Sequence, residues 1–276
     1  MTGDATASRS YGHICWAYDD PAALDSRAVP FLAAGLAAGE QVWFVAPGTS
    51  EGLTRHLDRL PGLDDGLRRG AIRIVSIEQT YRADEPFDPE TQVRAYQAAT
   101  DAALAAGYTG LRLMAEATSL IRTPAQREVF ARYEHLIDRY MHRRPMSAIC
   151  AYDRRELGDA AIAEVACMHP ETNTDVLFQL HACGPAEGDV ALAGELDPSN
   201  HRLFAAALER AELRPVDGRL VVEAAQLRFI DHRCLMQLRD HARRLGATAV
   251  LRTSRPAAGR LVDLLELADI RVEATR

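Results

Sequence analysis

The sequence predicts an α/β protein: a mostly parallel sheet with helices on both faces, followed by a smaller α/β domain. Three observations predict it. Strand-like and helix-like segments alternate through the first 170 residues. The strand-like runs are almost continuously apolar, as in QVWFVA at 41–46 and SAICAYD at 147–153, which suits strands covered on both faces. The pattern then breaks at the polar, turn-forming His169-Pro170-Glu171-Thr172-Asn173-Thr174. Beyond it, two extended runs flank a glycine-bounded turn, the pattern of a hairpin.

GHICWAY (12–18) is the first strand. Residues 22–38 form a helix whose Leu24, Val29, Phe31, Leu32 and Leu36 share one broad stripe, and Gly39 stops it. QVWFVA follows, bounded by Pro47-Gly48, and a helix through Leu53, Leu57 and Leu60 leads to AIRIVSI (71–77). Asp88 caps the next helix, Pro89 fits its first turn where the missing N–H costs nothing, and Gly107 ends it. LRLMAEA (111–117) is a strand, and Thr123-Pro124-Ala125-Gln126 reads as a capping box. The helix it opens carries Val129, Phe130, Tyr133, Leu136, Ile137, Tyr140 and Met141 on one face, with Arg127, Arg132, Asp138 and Arg139 turned away. SAICAYD is the last strand before the break.

Past the break, 176–182 and 189–196 form a hairpin around Gly184-Pro185-Ala186-Glu187-Gly188. A helix starts near Asp197-Pro198, carrying Leu203, Phe204, Ala207, Leu208 and Ala211. RLVVEA (219–224) and LRFI (227–230) are extended, Leu235, Leu238, Ala242 and Leu245 mark a helix ended by Gly246, and TAVLRTS (248–254) is a strand. Pro256 opens the final helix through Leu261, Leu264, Leu265 and Ala268. The domain boundary falls near 170–176.

Composition excludes several classes. At 276 residues, 47% hydrophobic and 26% charged, the chain can bury a core without disulfide staples. It has no apolar run of the roughly 18 residues a membrane span needs. MTGDATASRS at the start lacks the basic and apolar regions of a signal peptide, so a cytoplasmic location is expected. A net charge of −7 with no Lys/Arg block speaks against nucleic acid as a partner. Five scattered cysteines (Cys15, Cys150, Cys167, Cys183, Cys234), with no CxxC, read as reduced, mostly buried thiols.

The front half has the alternation of a nucleotide-binding fold but neither GxxxxGK[ST] nor GxGxxG. Where a phosphate loop would follow the first strand stands Tyr18-Asp19-Asp20-Pro21, whose carboxylates repel phosphate. GxSxG is absent too, and nothing in the spacing selects a triad such as His13, Asp19 and Ser119. His13-Ile14-Cys15 and Cys167-Met168-His169 each place an imidazole and a thiol two residues apart, with Cys150 in a neighbouring strand. In a strand such pairs share a face and could serve tetrahedral zinc. The preferred reading is buried thiols and hydrogen-bonded histidines, with no metal or cofactor assigned. The strand-end residues His13, Tyr18, Asp19, Glu116, Tyr152 and Asp153 form the remaining constellation, since ligands of open parallel sheets bind at the carboxyl ends of strands. Glu116, ending an apolar strand, demands a partner, with Arg112, Arg122 or His13 as candidates.

Residues 11–172 resemble the MEDS domain, the sensory domain of methanogen and methylotroph regulators, including dichloromethane-responsive ones. The resemblance rests on HICWAYDD (13–20), VPFLAAGLAAGEQVWFVAP (29–47), YRADEPFDPE (81–90), AGYTGLRLMAEATSL (106–120), YEHLID (133–138), AICAYDRREL (148–157) and the HP at 169–170. FLAAGLAAGEQVWFVAP also resembles the segment after the phosphate loop of RecA-like ATPases, implying a RecA-like sheet whose phosphate loop is lost. Residues 175–276 resemble a STAS domain, the fold of anti-sigma-factor antagonists, through LAGELDPSNHRLFAAAL (192–208), LVVEAAQLRFID (220–231) and HRCLMQLRDHARRLGATAVLRT (232–253). Where such antagonists carry a phosphorylatable serine, this chain reads Asp231-His232-Arg233-Cys234, with no hydroxyl to modify.

The expectation is therefore a non-enzymatic signalling protein. A MEDS-like sensor binds an unknown small molecule through His13, Cys15, Tyr18, Asp19, Glu116, Tyr152, Asp153 and His169. A STAS-like domain presents Asp231, His232 and Arg233 to an ATPase-fold anti-sigma factor or related regulator. A sheet edge or apolar helix face in the rear domain would allow a homodimer. The alternatives are a metal- or thiol-based redox sensor using His13, Cys15, Cys150, Cys167 and His169, or an enzyme acting through Glu116 and His13.

Overall fold

The structure, a computed structural model, describes residues 12–80, 87–184 and 188–274. The polar leader, residues 81–86 of the YRADEPFDPE stretch and the hairpin tip Pro185-Ala186-Glu187 lie outside the described residues. The front half runs β1 (His13–Tyr18), α1 (Pro21–Ala37), β2 (Gln41–Ala46), α2 (Ser50–Thr54), a 3-10 turn (Arg55–Leu57), α3 (Leu63–Arg69), β3 (Ile72–Ser76), α4 (Ile77–Thr80), α5 (Pro89–Ala105) and β4 (Leu111–Glu116). After a second 3-10 turn (Thr118–Leu120) come α6 (Pro124–Met141), β5 (Met146–Asp153), α7 (Arg154–Leu157), α8 (Asp159–Ala166) and β6 (Glu171–Thr172). Local chemistry sets the boundaries. Asp88 accepts from the Thr91 N–H with Pro89 in the first turn, and both halves of the Thr123/Gln126 capping box are made.

The six strands form one parallel sheet in the order β3-β2-β4-β5-β1-β6. Leu24 and Leu32 of α1, with Leu53 and Leu57, cover one face against Phe44, Met114 and Ile149. Tyr96 of α5, Phe130 and Ile137 of α6, and Ile162 and Val165 of α8 cover the other. Two layers of helix thus enclose the sheet, which is why its strands are apolar on both sides. The polar break at 169–174 is part of this sheet: Glu171 and Thr172 form β6 beside β1, and the Asn173 side chain bonds both the N–H and the C=O of Ala17 at 2.8 Å.

The rear half comprises β7 (Phe178–His181), β8 (Val190–Leu196), α9 (His201–Arg210), β9 (Arg219–Glu223), β10 (Leu227–Ile230), α10 (His232–Arg244), β11 (Thr248–Arg252), α11 (Pro256–Leu264) and β12 (Ile270–Glu273). β7 and β8 form the expected antiparallel hairpin, and the other pairings in this mixed sheet are parallel. The first residues of β8 pair with β9 and its last with β10, so these two short strands act as one interrupted strand. The helix expected from Asp197-Pro198 begins instead at His201. Asp197 accepts from the Ser199 N–H and holds a turn, and Asn200 precedes the first helical residue.

α6 joins the halves. Arg210 of α9, only 5% exposed, pairs with Glu128 on α6 (2.9 Å) and Glu164 on α8 (3.0 Å). Arg139 donates to the Ala211 carbonyl, and Leu180 to the Cys167 carbonyl at 2.7 Å. One apolar core runs through the junction from Phe130 and Ile137 to Phe178, Leu180 and Phe204. Among the described residues no helix is long and apolar enough to cross a membrane.

Gly194 sits where β7, β8 and β10 meet, at φ +88°, and a Cβ there would overlap the Leu177 carbonyl oxygen and stand 2.9 Å from Phe178 Cα. Gly194→Ala is expected to lose about 3 kcal/mol or more of stability, read from a urea unfolding midpoint.

Candidate functional site

The expected ligand residues divide between two faces of the front sheet. Alternation along β1 sends His13 and Cys15 toward α6 and Tyr18 toward α1; along β5, Cys150 and Tyr152 face α6. His13 opens β1, so it stands at the opposite end from the carboxyl edge expected for it. It also lies on the other face from Glu116, so these two cannot act together on one substrate.

At the carboxyl edge, Glu116 Oε1 accepts from the Tyr18 hydroxyl (3.1 Å), the Thr118 N–H (3.2 Å) and the Thr118 hydroxyl. Its partners are therefore Tyr18 and Thr118. Of the basic residues expected, Arg112 pairs with Glu40, Arg122 with Glu156, and His13 with α6. Thr118 also accepts from the Asp153 N–H at 2.8 Å, tying β4 to β5. Asp153 caps α7 and pairs with Arg155, Asp19 pairs with Arg154 at 3.0 Å, and Asp20 caps α1 through the Ala22 N–H. The helix terminus that would cradle a phosphate is thus filled by the chain's own carboxylate.

The second cluster is fully enclosed beneath the sheet. His13 Nδ1 lies 3.2 Å from Asp138 Oδ1 and its Nε2 lies 3.1 Å from Glu134 Oε2. Tyr152 donates to Glu134 Oε1 at 2.6 Å, and the Cys150 thiol donates to Oε2 at 3.5 Å. His169, just past α8, donates from Nδ1 to the Val165 carbonyl at 2.9 Å, and its ring stacks on His13 at 4.1 Å. Asp138 was expected on the outer face of α6, yet Glu134 and Asp138 are 0% and 1% exposed. α6 is packed on more than one side, so its buried surface exceeds its apolar stripe. YEHLID held the signal, with Glu134 and Asp138 four residues apart on one helix face.

Burial and charge set the protonation of this cluster. Burial opposes a charge on His13, but hydrogen bonds to Asp138 and Glu134 outweigh it and push its pKa up to about 9. Burial and the neighbouring His13 lower His169 to about 4. Burial raises the thiols of Cys15, Cys150 and Cys167, Cys167 to about 12, so none is a ready thiolate. All five cysteines are free and buried. Cys15 is in register with Cys150, but Cys167 points its thiol back toward the Glu164 carbonyl, outside the cluster. A cavity of about 230 Å³ lies at the junction, lined by His142, His181, Cys183 and Glu223 among others.

In the rear half, Asp231 caps α10 through the Cys234 N–H (2.8 Å) and binds His201 Nε2 at 2.6 Å. Asp231 is therefore engaged within the fold, whereas His232 and Arg233 are exposed.

A parallel sheet whose first helix start is filled by its own carboxylate, with a buried polar cluster and a second sheet joined by a shared helix, defines the class as α/β. Residues 12–170 match the family profile described as MEDS, the methanogen/methylotroph, DcmR sensory domain. The match spans more than half of the chain, and the chain belongs to that family, with a sensory, regulatory role. No curated protein matches it.

Burial raises the pKa of Glu116 despite the bonds it accepts. Its folded form therefore holds a proton more tightly than the unfolded chain, where the value is about 4.3, and stability falls as pH rises from there through the folded value. Glu116→Gln keeps the accepting oxygen and removes that loss. Its urea midpoint is expected to exceed the wild-type value at about pH 8, with the difference shrinking toward about pH 4.

Proposed function

We propose that this chain is a non-enzymatic regulator in which the MEDS domain senses a small molecule or cellular state and the rear, STAS-like half docks on a partner protein. The partner class is an ATPase-fold anti-sigma factor or a related regulator. The observation that carries the reading is the surface at the start of α10. His232 and Arg233 are exposed there, Phe229 just before them is 51% exposed, and Met236, one helical turn further on, is 39% exposed. Apolar side chains bordering an arginine and an imidazole on a capped helix end suit a docking contact with an acidic-rimmed partner. With no serine or threonine from 231 to 234, docking here is not switched by a phosphate on this loop.

Asp138 supports the coupling of the two halves. One oxygen meets His13 in the front cluster, and the other accepts from the Ala182 N–H at the end of β7 at 2.8 Å. A change at the cluster that moves Asp138 therefore acts directly on the rear sheet.

The test is affinity purification with the full-length protein scored for ATPase-fold anti-sigma proteins, followed by titration of the captured partner. Phe229→Asp is expected to weaken binding about tenfold or more with an unchanged melting temperature. His232→Ser combined with Arg233→Ser is expected to change the affinity and its salt dependence. Equal affinity for wild type and both variants, or no partner of this class, rejects the docking surface.

A further inference from the structure

We propose that the buried cluster of His13, Glu134, Cys150 and His169 is a closed tetrahedral site for a zinc-class divalent transition ion. The inference stands apart from the docking surface; the preferred reading of the sequence assigns no metal, with a metal-based sensor among its alternatives. Four elements supply one ligand atom each: His13 Nε2 from β1, Cys150 Sγ from the adjacent β5, Glu134 Oε2 from α6 and His169 Nε2 from the turn after α8. These four atoms all lie within 4.8 Å of one another.

The spacing fits a tetrahedron. With metal–nitrogen and metal–oxygen bonds of about 2.0 Å and a metal–sulfur bond of about 2.3 Å, the edges between ligand atoms are about 3.3 to 3.6 Å. The observed edges are 3.1 Å from His13 Nε2 to Glu134 Oε2, 3.5 Å from His169 Nε2 to the same oxygen, 3.5 Å from Cys150 Sγ to it, and 3.8 Å from Cys150 Sγ to His13 Nε2.

A second observation is independent of those edges. His169 is 0% exposed, and its Nε2 has no hydrogen-bond partner. Its Nδ1 faces the Val165 carbonyl, which can only accept, so Nδ1 carries a hydrogen, and Nε2 points at the Glu134 carboxylate. An imidazole nitrogen and a carboxylate oxygen facing each other in a dry interior need a proton or a metal cation between them, and the 3.5 Å separation with no hydrogen bond at Nε2 suits the metal. An ion-pair network of His13 with Glu134 and Asp138 satisfies those three residues but leaves His169 in this position.

The surrounding groups are those that orient metal ligands. Asp138 holds His13 Nδ1, the Val165 carbonyl holds His169 Nδ1, and the Tyr152 hydroxyl holds Glu134 Oε1, leaving Oε2 directed at the site. Two imidazoles, a thiolate and one carboxylate oxygen select a borderline-soft ion over magnesium or calcium, which take oxygen shells. All four ligands are at most 5% exposed, so no position is left open for water and the site is structural. On binding, Cys150 loses its thiol proton and His13 its Nε2 proton to solvent, so that the sulfur and the imidazole nitrogen can both bond the ion. The ion then pins α6 to the sheet one helical turn from Asp138.

The experiment uses full-length protein from zinc- or cobalt-supplemented cultures. About one equivalent of metal per chain is expected. Zinc X-ray absorption is expected to show one sulfur and three nitrogen or oxygen neighbours. The cobalt form is expected to show strong tetrahedral d–d bands and a near-ultraviolet thiolate charge-transfer band, lost in Cys150→Ser and kept in Cys15→Ser. Folded wild-type protein without metal, a zinc shell lacking sulfur or holding more than one, or a charge-transfer band that survives Cys150→Ser each overturns the proposal. The absorption measurement on wild-type protein decides the matter even if Cys150→Ser fails to fold.

Discussion

Two carboxylates one helical turn apart, Glu134 and Asp138, set the arrangement around them. A carboxylate taken out of water costs several kcal/mol unless charge or hydrogen bonds replace the lost solvent. Both here are enclosed, and both depart from ordinary carboxylates in one direction: burial opposes ionisation, but His13, bonded to both, outweighs it and keeps them charged. That requirement recruits side chains from β1 and β5, and the backbone N–H of Ala182 just after β7. The cluster is thus a packing constraint as well as a chemical site, because α6 cannot shift along the sheet without stripping a buried charge of its partners.

Much of the fold was legible from local chemistry. Asp88 with Pro89, the capping box at Thr123, and the apolar runs at 41–46 and 147–153 each correspond to an element of the structure. Their causes are short-ranged, such as an unpaired N–H near a side-chain oxygen or a strand covered on both sides. The candidate site was only half legible. Histidine and thiol spacing pointed to His13, Cys15, Cys167 and His169, with Cys150 nearby; Cys15 and Cys167 are not members of the cluster, and its fourth member, Glu134, went unseen. Helical periodicity identifies the stripe facing one neighbour, whereas α6 packs against the sheet, α5, α8 and α9. Once a helix is covered on several sides, its polar residues are buried too, and only tertiary contacts tell Asp138, which is enclosed, from Arg132, which is not.

The carboxyl edge of the sheet shows how the front domain differs from a nucleotide-binding one of similar outline. Asp20 satisfies the first turn of α1, and Asp19 takes Arg154 as its partner. Anion binding at a helix start requires free N–H groups and positive potential, and neither remains there. Glu116 was recognised as needing a partner, but its partners are neutral hydroxyls and a backbone N–H rather than an arginine. A carboxylate held by neutral donors alone stays near its protonation threshold, which explains why its pKa rises while those of Glu134 and Asp138 fall.

The path from α6 to the exposed start of α10 runs through continuous backbone pairing. Ala182 follows β7, β7 pairs with β8 through Leu180–Leu192 and Phe178–Gly194, and β8 pairs with β10 through Gly194–Leu227 and Leu196–Ile230. β10 then leads directly into Asp231 and α10. A sheet paired in this way resists internal shear, since slipping by one residue would turn its whole apolar face outward. Under the proposed coupling, a displacement of Asp138 would be transmitted as a tilt of the rear sheet against the front one rather than as rearrangement within it. The contacts that yield under such a tilt are the ones crossing the junction, Arg210 with Glu128 and Glu164 and Arg139 with the Ala211 carbonyl. These are charged groups on long side chains, which can follow a small rotation without losing their partners, whereas the bonds from Ala182 to Asp138 and from Leu180 to the Cys167 carbonyl cannot. In the proposed coupling, that asymmetry would place the pivot between the two halves along the Asp138–Ala182 and Cys167–Leu180 bonds, with the flanking arginines as the tether.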